Sequence, residues 1–129
     1  MSDRHLWVDE ITLASQPESV AAARRFVREQ LVSHDLPLLV DDMTLVASEL
    51  TTNAVKHAGT PFTVTITASA DAVVLAVRDG SVSAPTRLDA RDDDVAGRGV
   101  AIVDVVSRNW GVVLDADLGK MVWAEFAVV

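Results

Sequence analysis

Glu49 and Asn53 are a carboxylate and a carboxamide four residues apart in the run Ser48-Glu49-Leu50-Thr51-Thr52-Asn53-Ala54-Val55-Lys56-His57-Ala58. In a helix that spacing stacks them one turn from each other and roughly 40° apart around the axis, close enough to serve one ligand. A carboxylate so placed can take a proton from a hydroxyl, and a carboxamide oxygen can ligate a hard cation. The pair borders the apolar stripe Leu39, Met43, Val46, Leu50 and Ala54, and polar residues at the edge of a buried stripe usually line a cleft. The bland alternative is a solvated Glu and Asn on a wet helix face. Lys56 lies on the same side as Glu49 and could contact an anion, with a plain surface lysine an equal reading. His57 falls in the last turn, where a helix C-terminus favours a cation, and reads as a cap or a satisfied core histidine.

Two further groups carry chemistry. Val77-Arg78-Asp79-Gly80 puts an acceptor-only carboxylate at a strand end. A turn aspartate capping its own backbone is the competing reading, and the two stand level. In Gly97-Arg98-Gly99 the glycines would let the backbone approach a phosphate closely. A helix beginning there would add free N–H groups and a positive partial charge. An ordinary tight turn produces the same residues. Arg98 could reach phosphate or nearby carboxylates, or simply be solvated.

Taken in order, the Glu-x-x-x-Asn helix, Val77-Arg78-Asp79-Gly80 and Gly97-Arg98-Gly99 resemble the N box and the two glycine boxes of Bergerat-fold (GHKL) ATP-binding domains. With the ending Gly119-Lys120-Met121-Val122-Trp123-Ala124-Glu125, the chain is similar to the single-domain anti-sigma-factor serine/threonine kinases and their histidine-kinase-like relatives. The resemblance runs from about residue 17 to the end. It implies an α+β fold: a two-layer α/β sandwich with a mixed, mostly antiparallel sheet covered on one face by helices. It also implies ATP and Mg2+ as cofactors, with Asn53 as the metal ligand and Glu49 as the catalytic base. The nucleotide-binding set becomes Asn53, Lys56, Asp79, Ser81, Gly97, Arg98, Gly99 and Val100. Asp79 would accept the exocyclic amine of adenine, where an acceptor-only group rejects a guanine carbonyl. Residues 80–97 would form the ATP lid. Ser81 stands where the family often has glycine, and Met121 where its third box commonly has threonine.

The implied function is a Mg·ATP-dependent serine/threonine protein kinase acting as an anti-sigma factor. Its partners would be a sigma factor and a STAS-type antagonist that it phosphorylates, and family habit favours a homodimer. The alternative is a regulatory module that binds ATP weakly or not at all and works through protein contacts. An ATPase fragment of a topoisomerase- or chaperone-type machine fits less well, since 129 residues leave little to transmit strand passage or clamp closure.

Several elements must position these residues. Leu6 to Leu13 alternates imperfectly, as an edge strand would. Pro17 and Glu18 start a helix whose stripe is Val20, Ala23, Val27 and Leu31, with Arg24, Arg25 and Arg28 on its wet side. Leu36-Pro37 breaks it, and the Glu49 helix runs on to the stop signal Gly59-Thr60-Pro61. Residues 62–68 and 73–77 read as strands joined by a short turn. The run Val100 to Val106 is contested: its β-branched content favours a strand, whereas the resemblance implies a helix, which apolar residues around most of its circumference also suit. Residues 110–114 and 121–129 close as a hairpin. Met43, Met121 and the three tryptophans are read as core.

Composition sets the outer limits. A chain of 129 residues, half of them hydrophobic, is one domain by prior and argues against disorder. Without cysteine it holds no disulfide and no thiolate metal site. No apolar run approaches the ~20 residues of a membrane span, and the N-terminus lacks a signal-peptide core, so a soluble cytoplasmic protein is expected. Nineteen acidic against eleven basic residues leave a net charge of −8, which speaks against direct nucleic-acid binding. The acidic surface serves solubility or steers toward a basic partner. The acidic run Asp92-Asp93-Asp94 reads as a solvated segment.

Overall fold

The computed structural model describes residues 6–81, 102–117 and 119–128. Pro17, with φ −57° already helical, leads into α1 (Glu18–Ser33), and Glu18 sits in its first turn, where an acid meets the positive end of the dipole. Ala23, Val27 and Leu31 are buried along one side of α1, while Arg24, Arg25 and Arg28 are exposed. The helix ends in a Schellman arrangement. Asp35 has φ 63°, its N–H reaches Val32 O at 3.0 Å, and the Leu36 N–H reaches Leu31 O at 2.7 Å. Aspartate tolerates that left-handed position better than most residues. A short 3-10 turn (Pro37–Leu39) then feeds α2 (Val40–His57). Asp41 and Asp42 occupy its first turn and Lys56 and His57 its last, so the two acids and the lysine each sit at the dipole end that favours their charge. Gly59, at φ 68°, stops it.

Five strands make one sheet: β1 (Trp7–Leu13), β2 (Phe62–Ala68), β3 (Ala72–Asp79), β4 (Asn109–Asp115) and β5 (Gly119–Ala127). Their order is β1-β2-β3-β5-β4, and each neighbouring pair is antiparallel. The α+β sandwich expected from the sequence is therefore present, with a sheet antiparallel throughout the described residues. β1 is an edge strand, as expected. β3 is longer than residues 73–77, and the extension draws Asp79 into the ladder.

Period-two alternation gives the sheet two different faces. Phe62, Val64, Ile66, Val73, Leu75 and Val77 are buried on the helix-facing side together with Met43, Val46, Leu50 and Ala54 of α2. Thr63, Thr65, Thr67, Val74, Ala76 and Arg78 form the other side, where Met121 and Trp123 also lie. These last two were expected in the core. Their register with Arg78 and Ala76 instead puts them on the face away from the helices. There the indole of Trp123 lies so close over Gly111 that a Cβ at 111 would meet it at 2.9 Å. Trp7 and Trp110 pack half-buried against the core.

Residues 102–106 are helical, against their β-branched content. Val103 is 2% exposed within the core, so burial of one apolar face outweighs a propensity difference of under ~1 kcal/mol per residue. Trp110 Nε1–H donates to Asp104 Oδ1 at 3.0 Å, tying this helical segment to β4.

Leu75 is fully buried in the central strand, so Leu75→Ala should destabilise the fold by about 2–5 kcal/mol. Urea unfolding followed by circular dichroism should show a lower midpoint with an unchanged slope.

Candidate functional site

Glu49 and Asn53 are half-buried on the flank of α2. Leu50 and Ala54, 7% and 2% exposed, turn the adjoining stripe into the core, and α2 packs on β3 and β5. The two half-buried polar side chains thus lie next to the buried stripe of α2. Thr51, one residue past Leu50, is fully buried, but its hydroxyl donates to Ala47 O at 2.7 Å. That hydroxyl is satisfied inside its own helix, which separates it from the two residues on the flank. Lys56 and His57 are both exposed, and exposure rules out the core reading of His57.

Asp79 closes β3 on the same side of the sheet as the helices. It is 4% exposed. Its Oδ1 accepts the Ser81 N–H at 2.8 Å, so the turn-capping role weighed against ligand recognition is real. That bond uses one oxygen and fixes the carboxylate plane, while an ionised carboxylate offers about four acceptor positions. Capping and recognition are compatible. The next residue secures the strand end from another direction, for the Gly80 N–H donates to Thr60 Oγ1 at 2.8 Å. Thr60 belongs to the connection just after α2. The C-terminal end of the helix bearing Glu49 and Asn53 is thereby joined to the strand end bearing Asp79. Ser81 is half-buried.

The partner strand reaches the site through a backbone approach that only glycine permits. Gly119, at φ 95°, begins β5 directly against Asp79, and a Cβ there would overlap the Asp79 carbonyl oxygen. The register pairs Asp79 with Lys120 and Arg78 with Met121. Position 121, where the third box of the family commonly has threonine, therefore points to the opposite face, with the Met121 Sδ 3.5 Å from Arg78 Nη2. Lys120 takes the place beside Asp79. Its Nζ is 3.9 Å from Asp79 Oδ2, and the two side chains are only 11% and 3% exposed. Lys120 and Gly119 are the site residues the sequence reading missed. The available signal was a lysine inside an apolar strand, on the alternation phase of the buried Ala124 and Phe126.

Gly97, Arg98, Gly99 and Val100, and the lid apart from Gly80 and Ser81, lie outside the described residues. Among the described residues no cluster of three or more acidic or histidine side chains is placed to hold a metal ion. A magnesium ion needs no such cluster when phosphates and water supply most of its ligands, and the half-buried carboxamide of Asn53 on α2 fits that chemistry. No described helix is long and apolar enough to cross a membrane.

Gly119→Ala should force β5 away from Asp79 and add left-handed strain of about 1–2 kcal/mol. A fall in melting temperature of roughly 5 °C or more is expected in a differential scanning calorimetry trace.

The family profile of the histidine kinase-like ATPase domain matches residues 13–125, a span holding Glu49, Asn53, Asp79 and the Gly97–Gly99 motif. No curated protein matches the chain.

Proposed function

We propose, from the premise that this chain belongs to the histidine kinase-like ATPase domain family, that it is a Mg·ATP-dependent serine/threonine protein kinase acting as an anti-sigma factor. Membership makes it a GHKL-type ATPase domain and implies ATP binding; the kinase activity and the partners are our reading. The observation that carries it is Asp79, a carboxylate 4% exposed on the helix-facing side of the sheet, with Oδ1 held by the Ser81 N–H. An oriented, buried acceptor next to the helix of Glu49 and Asn53 is what recognition of the adenine amine requires.

Each residue then has a task. Asp79 accepts from the N6 amine and fixes the base. Asn53 offers its carboxamide oxygen to Mg2+, which neutralises charge on the polyphosphate when bound. Glu49 takes the proton of the attacking serine hydroxyl as that oxygen bonds to the γ-phosphorus. The bond from the γ-phosphorus to the bridging oxygen breaks, and ADP leaves with its electron pair. Lys56, Ser81, Gly97, Arg98, Gly99 and Val100 are assigned to the phosphates and the lid by family resemblance. The substrate would be a serine on a STAS-type antagonist, and the other partner a sigma factor bound by a homodimer in a cytoplasmic setting. The acidic balance of the chain, −8 overall, suits a basic surface on a protein partner.

Calorimetric titration with Mg·ATP should give a dissociation constant in the micromolar range, about −8 kcal/mol. Asp79→Asn should weaken binding at least tenfold, and Asn53→Ala should remove its magnesium dependence. Failure of the folded wild-type protein to bind any ATP would end the nucleotide reading in favour of a module acting by protein contacts alone. Glu49→Ala should bind ATP normally yet transfer phosphate to the antagonist roughly 100-fold more slowly. Transfer at the wild-type rate would remove Glu49 from the mechanism.

A further inference from the structure

Lys120 stands directly opposite Asp79 in the β3–β5 register, with its side chain 11% exposed. Lysine is seldom buried without a purpose for its charge. Neutralising Asp79 would be one purpose, but the geometry is not that of a closed pair. Charge-assisted N–H···O bonds close at about 2.7–2.9 Å, whereas Nζ and Oδ2 are 3.9 Å apart. Each group therefore keeps hydrogen-bonding capacity for a third party: the ammonium has three donors, and Oδ2 carries unshared acceptor positions. Together they present an acceptor beside a donor. The adenine edge presents the complement, since the N6 amine donates and the neighbouring ring nitrogen N1 accepts.

Resting on the ATP-binding reading above, we infer that Lys120 is a base-reading residue whose ammonium donates to adenine N1 while Asp79 Oδ2 accepts from the N6 amine. The base is then held by two direct contacts from adjacent strands. Asp79 stays oriented by the Ser81 N–H, and Lys120 is carried by the strand whose start is fixed at Gly119. This arrangement also sets what the site rejects. Guanine in the same pose would set its carbonyl against the Asp79 carboxylate and its N1–H against the Lys120 ammonium, so both contacts reject it.

The test is binding of ATP and of 1-deaza-ATP, which keeps the amine but replaces N1 by C–H, to the full chain and to Lys120→Met. The wild-type protein should bind 1-deaza-ATP roughly tenfold more weakly than ATP, the usual consequence of deleting one partner of a charged hydrogen bond. Lys120→Met should bind the two nucleotides alike, and Lys120→Gln, which retains a donor, should recover part of the preference. Equal binding of both nucleotides by the wild-type protein overturns the role of Lys120 while leaving the ATP reading intact. So does a Lys120→Met variant that loses affinity for both in the same proportion, because Lys120 would then act only through Asp79. If the wild-type protein binds neither nucleotide, the ATP reading falls and this inference falls with it. The wild-type comparison needs no folded variant.

Discussion

Eight cross-strand pairs, from Ala72↔Ala127 to Asp79↔Lys120, bind the middle of the chain to its end. The candidate site depends on this pairing more than on any other contact. Asp79 comes from one strand, Gly119 and Lys120 from the other, and the two strands are far apart in sequence. A slip of one residue would turn Lys120 to the far face and bring Met121 against Asp79. The register is held at its open end by Gly119, whose lack of a side chain lets β5 start against the Asp79 carbonyl. Along its length it is held by Leu75, Ala124 and Phe126, all buried under the helices. The same burial that stabilises the sheet fixes the phase on which the site's charges fall.

The helical layer supplies the second half of the site and the low-polarity surroundings. α2 buries Met43, Val46, Leu50 and Ala54, and its flank carries Glu49 and Asn53 to the edge of that buried surface. Charges withdrawn from water interact more strongly than exposed ones. A buried Asp79 and Lys120 therefore gain in selectivity what they lose in solvation, provided their bonding capacity is filled. The Gly80–Thr60 hydrogen bond matters here because it crosses between the layers. It holds the strand end, at Gly80, to the connection that follows α2.

Most of this was legible in the sequence where a periodic pattern ran long enough. Both long helices, the Gly59 stop and β2 were readable from stripe, cap and alternation, and the Glu49/Asn53 pair could be placed beside a buried stripe from angle alone. Local reasoning failed where pairing decided the outcome. Met121 and Lys120 differ by one position, and only the register with β3 shows which of them meets Asp79. Trp123 resembles a core residue in composition, yet alternation placed it on the open face over Gly111. Asp35 gave no signal as a helix terminator, because the left-handed position it occupies is usually filled by glycine. The helical state of residues 102–106 came from the family resemblance and from apolar residues around the circumference, against a propensity that pointed the other way.

The hydrogen bond between Trp110 and Asp104 has a practical optical meaning. The chain has no tyrosine and three tryptophans, so its near-ultraviolet emission arises almost wholly from indoles. Trp7 stacks on His34 with ring centroids 3.7 Å apart, and Trp123 lies on the face away from the helices. Trp110 is the indole tethered to the helical segment that follows the Gly97–Gly99 motif. With Trp7 and Trp123 replaced by phenylalanine, its fluorescence becomes a label at that junction, reading the 102–106 helix against β4 without a dye or a cysteine having to be introduced.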